Sequence, residues 1–177
     1  MKKKTLALVL ALTLLVAGIV GGTLAWLTDQ TAEVKNTFTV GDINIDLTET
    51  TTDYKMVPGN TIAKDPTVTV KANSEACWLF VKVTESTDLK DFITYAIAEG
   101  WAALPGVDGV YYREVPASSA DQTFSVLAGD AVTVKSDVTR AMLETAKTDA
   151  PTLTFKAYAI QKDHFATADA AWAEVSK

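Results

Sequence analysis

The sequence predicts an all-β fold, an antiparallel β-sandwich of jelly-roll type with one or two short peripheral helices, preceded by an N-terminal signal helix. Three observations carry this reading. Short runs alternate apolar and polar residues with a period of two. Clusters of Gly, Pro, Asn and Asp punctuate them, and no strands and helices take turns as a βαβ unit requires. With 177 residues, of which 48% are hydrophobic, the chain is long enough for one domain with its own core.

The first element is an export signal over residues 1–25. Lys2, Lys3 and Lys4 form a positive start, Leu6 to Val20 is an uncharged apolar run, and Gly21 to Ala25 supplies small residues. Thr23 and Ala25 offer the small side chains that a signal peptidase reads, so that enzyme is the expected partner during export. It cuts after Ala25 or, one residue later, after Trp26. If the signal stays uncleaved, Leu6 to Leu27 carries no charge and is about long enough to span a bilayer. That segment is the only expected membrane contact.

The domain then runs over 26–177. Its opening stretch, 26–40, is rich in Thr and places Val34, Phe38 and Val40 at even spacing, compatible with one extended face. Such a segment either pairs within its own domain or adds itself to the sheet edge of another copy, where edge N–H and C=O groups accept an incoming strand. Head-to-tail addition of that kind does not close on itself and yields filaments.

Eight strands follow. Ile43, Ile45 and Leu47 alternate with polar neighbours, as do Val68 and Val70. Cys77, Leu79, Val81 and Val83 alternate with Trp78, Phe80, Lys82 and Thr84, so this strand is apolar on both faces for half its length and belongs between two layers. The rest are Ile93 to Ile97, Val110 to Val115, Phe124 and Val126, Val132 and Val134 beyond the turn Ala128-Gly129-Asp130, and Leu153 to Ile160. Turns fall at Val57 to Asn60, Pro105-Gly106, Asp108-Gly109 and Ala150-Pro151. Two stretches have helical spacing instead: Val138 to Ala146, and Asp163 to Val175 with Phe165, Ala168, Trp172 and Val175 on one face and Asp163 as cap. Both are expected on the rim.

Composition excludes several function classes. The formal net charge is −6, and loss of the three signal lysines makes it more negative. Nucleic acid is therefore not an expected partner, because phosphate binding needs a basic surface. Cys77 is the only cysteine, which excludes an intramolecular disulfide and reads as a buried hydrophobe. His164 is the only histidine. It cannot form the paired imidazoles of His-Glu-x-x-His, and neither a Gly-x-Ser-x-Gly elbow nor a phosphate-binding Gly motif occurs. No catalytic residue, cofactor or metal ligand is assigned. Asp42, Asp46, Glu49 and Asp53 form an acidic patch without the spacing of a calcium loop, read as a solvated strand edge rather than a cation site.

Several motifs carry a resemblance: Gly21-Gly22-Thr23 before the cut, Trp26 to Asp29, Asn36-Thr-Phe-Thr-Val-Gly41, Pro58-Gly59-Asn60 and the strand around Trp78 to Val83. By these residues the chain resembles TasA and camelysin-type proteins with a SipW-type signal peptide. The resemblance implies a secreted β-sandwich of the extracellular matrix or cell surface. It further implies assembly with itself, the N-terminal segment of one subunit completing the sheet of the next. Camelysin-like proteins are also grouped with metallopeptidases, so the rival readings are a secreted zinc peptidase and a membrane-tethered binding module.

Overall fold

The structure, a computed structural model, describes residues 42–51 and 54–177. The expected signal segment, the expected cleavage residues Thr23, Ala25 and Trp26 and the expected self-association residues Val34, Phe38 and Val40 lie outside the described residues. Within them the strands are β1 (Ile45–Thr48), β2 (Thr61–Ala63), β3 (Thr67–Val70), β4 (Cys77–Glu85), β5 (Ile93–Thr94), β6 (Ala102–Ala103), β7 (Val110–Val115), β8 (Gln122–Ser125), β9 (Ala131–Val134) and β10 (Leu153–Gln161). The helices are α1 (Leu89–Phe92), α2 (Arg140–Ala146) and α3 (Ala168–Val175). No helix among the described residues is long and apolar enough to cross a membrane.

Among the described residues all strand pairs are antiparallel and form three sheets, ordered β1-β3-β8, β10-β4-β7-β6 and β2-β9-β5. The first two face each other. Val68 and Val70 on β3 meet Cys77, Leu79, Val81 and Val83 on β4 in one apolar core. An alternating strand apolar on both sides must be covered on both, and β4 is: its other face presents Trp78 and Phe80 to α3, where Ala168, Ala171 and Trp172 are buried. The Trp172 ring lies 5.3 Å from that of Phe80 and 5.1 Å from that of Tyr158, edge-on to the latter at 82°. A third core joins β5 and β9 to the two remaining helices through Phe92, Ile93, Val132, Val134 and Ala146.

The predicted helix over Asp163 to Val175 is shorter and covers a sheet face rather than a rim. Lys162–His164 forms a 3₁₀ turn, so Asp163 is not the cap; Thr167 is, its hydroxyl accepting the Ala170 N–H at 3.3 Å. Thr139 caps α2 in the same manner, accepting from Met142 N at 3.3 Å. The strand expected from Ile93 to Ile97 stops at Thr94, and Ile97 keeps one bridge to Leu127. The turn at Gly129, whose φ of 64° suits a residue without Cβ, passes the chain from β8 in one sheet to β9 in another.

Candidate functional site

Two adjoining sheet edges form the most distinctive feature. β10 pairs with β4 over its full length, from Leu153↔Glu85 to Gln161↔Cys77. Beyond its two ends, Ser86 N–H donates to Thr152 O at 2.9 Å and Lys162 N–H to Ala76 O at 2.9 Å. Antiparallel ladders alternate hydrogen-bonded and open pairs, so the even-numbered residues of β10 bond to β4. The N–H and C=O groups of Leu153, Phe155, Ala157, Ala159 and Gln161 therefore point away from it. The same reasoning applies to β1: Lys71 N–H donates to Asn44 O at 2.9 Å, which leaves the backbone groups of Ile45 and Leu47 facing away from β3. Among the described residues no strand pairs with either row.

Side chains make this seam apolar. Ile45, Leu153, Phe155, Ala157 and Ala159 pack against the inner core from its margin, and Leu47 is 36% exposed, one of the few large hydrophobic residues at the surface among the described residues. Between the sheets lies a cavity of about 370 Å³ lined by Leu47, Thr48, Glu49, Pro66, Leu153, Thr154 and Phe155. A second cavity, of about 440 Å³, shares Leu153 and Thr154 and continues past Met56, Ile62 and Val132. Edge strands with exposed apolar margins are sites where another strand adds.

A charged cluster stands where the two cavities meet. Lys64 is only 7% exposed; its Nζ lies 2.6 Å from Glu49 Oε1, 4.6 Å from the Tyr54 ring centre and 5.4 Å from that of Phe155. The Tyr54 hydroxyl reaches both that Glu49 oxygen, at 2.6 Å, and the Thr51 carbonyl oxygen, which share its one proton. Burial, and then the Glu49 carboxylate, push the Tyr54 phenol well above its ordinary range, so it stays a donor. Beside this cluster Asp65 accepts from both the Thr50 N–H, at 3.0 Å, and the Thr50 hydroxyl, which hold its carboxyl below the usual range.

The acidic patch read from the sequence divides into separately satisfied groups. Asp42 accepts from Asn44 Nδ2 at 2.8 Å, Asp46 meets Lys71 Nζ at 2.9 Å and Glu49 holds Lys64; Asp53 lies outside the described residues. Cys77 is fully buried in the inner core, where desolvation pushes its thiol up to about 11, and His164 is exposed on the 3₁₀ turn. Among the described residues no three His, Cys, Asp or Glu side chains are grouped to hold a metal ion.

Sequence reading found neither the free row of β10 nor the Lys64–Glu49 pair. Alternation along Leu153 to Ile160 shows a strand without saying whether it is central or marginal, and a lysine in a short connection carries no sign of its partner. A family model described as camelysin metallo-endopeptidase matches residues 1–89. No curated protein and no solved structure matches the chain.

Proposed function

Because the chain belongs to the camelysin metallo-endopeptidase family, we propose that it is a secreted, non-enzymatic protein of the extracellular matrix or cell surface that assembles with itself through residues 26–40. The observation that carries this reading is the outward backbone row of β10 beside the apolar seam. An incoming strand would satisfy N–H and C=O groups along that row, while Val34, Phe38 and Val40 meet a margin where Ala157 and Ala159 leave room. The donor segment precedes β1 directly in the sequence, so each copy has both a strand to give and a seam to receive one. Repeated head-to-tail, the contact makes an open polymer.

Sedimentation of the mature protein tests this. Polymer is expected to grow with concentration, and a variant lacking residues 27–38 is expected to stay a folded monomer that binds a peptide of residues 27–40. Phe38→Asp is expected to weaken assembly, since a charge would enter an apolar seam without a partner. A strict monomer at high concentration, unfolded by the deletion, would mean that the segment is an ordinary first strand of its own domain.

The family description favours a second reading, a metallopeptidase. Its donor set is hard to assemble here, because the only histidine is exposed and the only cysteine lies in the core. Stoichiometric zinc in the purified protein, or casein hydrolysis abolished by His164→Ala, would count decisively for that reading. N-terminal sequencing decides the third: a start at Trp26 or Leu27 fits export and cleavage, and a start at Met1 fits a membrane tether.

A further inference from the structure

Lys64 and Glu49 bring a primary amine and a carboxyl group together under conditions that favour reaction between them. Nζ is 2.6 Å from Oε1. The carboxyl carbon is one C–O bond of about 1.2 Å further, which puts it within about 3.8 Å of the nitrogen, close to the separation of about 3–3.5 Å at which attack begins. Their backbones are fixed by their neighbours: Thr50, next to Glu49, is bonded twice to Asp65, next to Lys64, and the Lys64 N–H donates to Asp130 O at 2.7 Å. The Tyr54 and Phe155 rings wall the pair off, leaving the Glu49 side chain 17% exposed and that of Lys64 8%.

We propose that Lys64 and Glu49 condense into an intramolecular amide, a covalent staple between the end of β1 and the connection from β2 to β3. Within the ion pair, passing a proton from the ammonium to the carboxylate gives the amine and acid from which the bond can form. The nitrogen lone pair then forms a bond to Glu49 Cδ. The tetrahedral carbon carries an oxyanion that the Tyr54 hydroxyl, already on Oε1, is placed to stabilise. Loss of one carboxyl oxygen with two protons releases water, and the nitrogen keeps one hydrogen. One C–N bond forms, one C–O bond breaks, nothing is oxidised and the net charge is unchanged. In a chain whose single cysteine cannot form an internal disulfide, the staple would close the segment from 49 to 64 and restrict the unfolded state as a cross-link does.

Intact-mass spectrometry of the folded protein tests it directly. The expected mass is the calculated one less a single water, and a protease digest is expected to contain one branched peptide joining the segments that carry Glu49 and Lys64. Lys64→Arg and Glu49→Ala are expected to keep the full mass. Glu49→Gln is expected to reach the same amide with ammonia as the leaving group, so its mass falls by one ammonia instead. Tyr54→Phe, which removes the positioning hydroxyl, is expected to slow condensation after refolding by about 100-fold. Full calculated mass in the folded wild-type protein overturns the proposal whether or not any variant folds. So does a water loss that persists in Lys64→Arg or maps to other residues.

Discussion

Proline at neighbouring positions of β10 is expected to separate assembly from folding. The Ala157 N–H faces away from β4, so Ala157→Pro removes no bond of the ladder, and edge strands accept proline at such positions. Its cost to the monomer is expected to stay under about 1 kcal/mol. Lys156 lies one residue earlier, opposite Lys82, and its N–H points into the ladder. Lys156→Pro loses that bond, leaves a carbonyl of the central strand without its donor and forces a ring between paired strands. Together these amount to about 3 kcal/mol, or a fall in Tm of roughly 6–12 °C for a domain of this size. Both measurements belong in the variant lacking residues 27–38, so that assembly does not mask stability, with far-UV circular dichroism following the melt. In the mature protein Ala157→Pro is expected to weaken polymer growth at least about fivefold, from one lost strand-to-strand bond of about 1 kcal/mol and a ring in the path of the incoming chain. If Ala157→Pro melts as early as Lys156→Pro, the assignment of outward groups is wrong. If it polymerises like the wild type, β10 does not receive the strand.

Three further outcomes are expected. Trp172→Ala removes the ring that seals Phe80 and Tyr158 beneath α3 and is expected to destabilise the domain by about 3–5 kcal/mol, read as a shift in denaturant midpoint at constant slope. Gly109 has a φ of 71°, and a Cβ there would collide with the Val83 carbonyl oxygen; Gly109→Ala is expected to lower stability by more than about 1 kcal/mol, with unchanged stability refuting that contact. Burial holds the Cys77 thiol at about 11 against an ordinary 9.0. Between those values the unfolded chain loses the proton while the native one keeps it, so stability is expected to fall as pH rises through the window, more steeply than in Cys77→Ala. A thiol reagent is expected to modify Cys77 only after unfolding.

The β-sandwich and its doubly covered central strand were legible because period-two alternation is a direct consequence of pleating, and Cys77 to Val83 carries it on both faces. Elements as short as Thr61–Ala63 and Ala102–Ala103 hold too few residues to show a period. The start of α3 was misplaced for a tertiary reason. Asp163 has sound capping chemistry, but the Phe165 carbonyl accepts from Trp78 Nε1 at 3.0 Å and the Phe165 N–H bonds back to Lys162 O, closing a turn there and moving the helix on to Thr167. The seam was invisible because an edge is a property of topology. Leu153 to Ile160 would read alike in the middle of a sheet, and only the order β10-β4-β7-β6 makes it an outer strand.

The two walls of the seam come from opposite ends of the described chain, β1 before all the other strands and β10 after them. A ribosome delivers them in that order, with more than a hundred residues between Thr48 and Leu153. The seam therefore exists only after β10 has docked on β4. On the reading proposed above, the surface that receives a strand is the last part of the domain to form, and folding has to be finished before a copy can accept a neighbour.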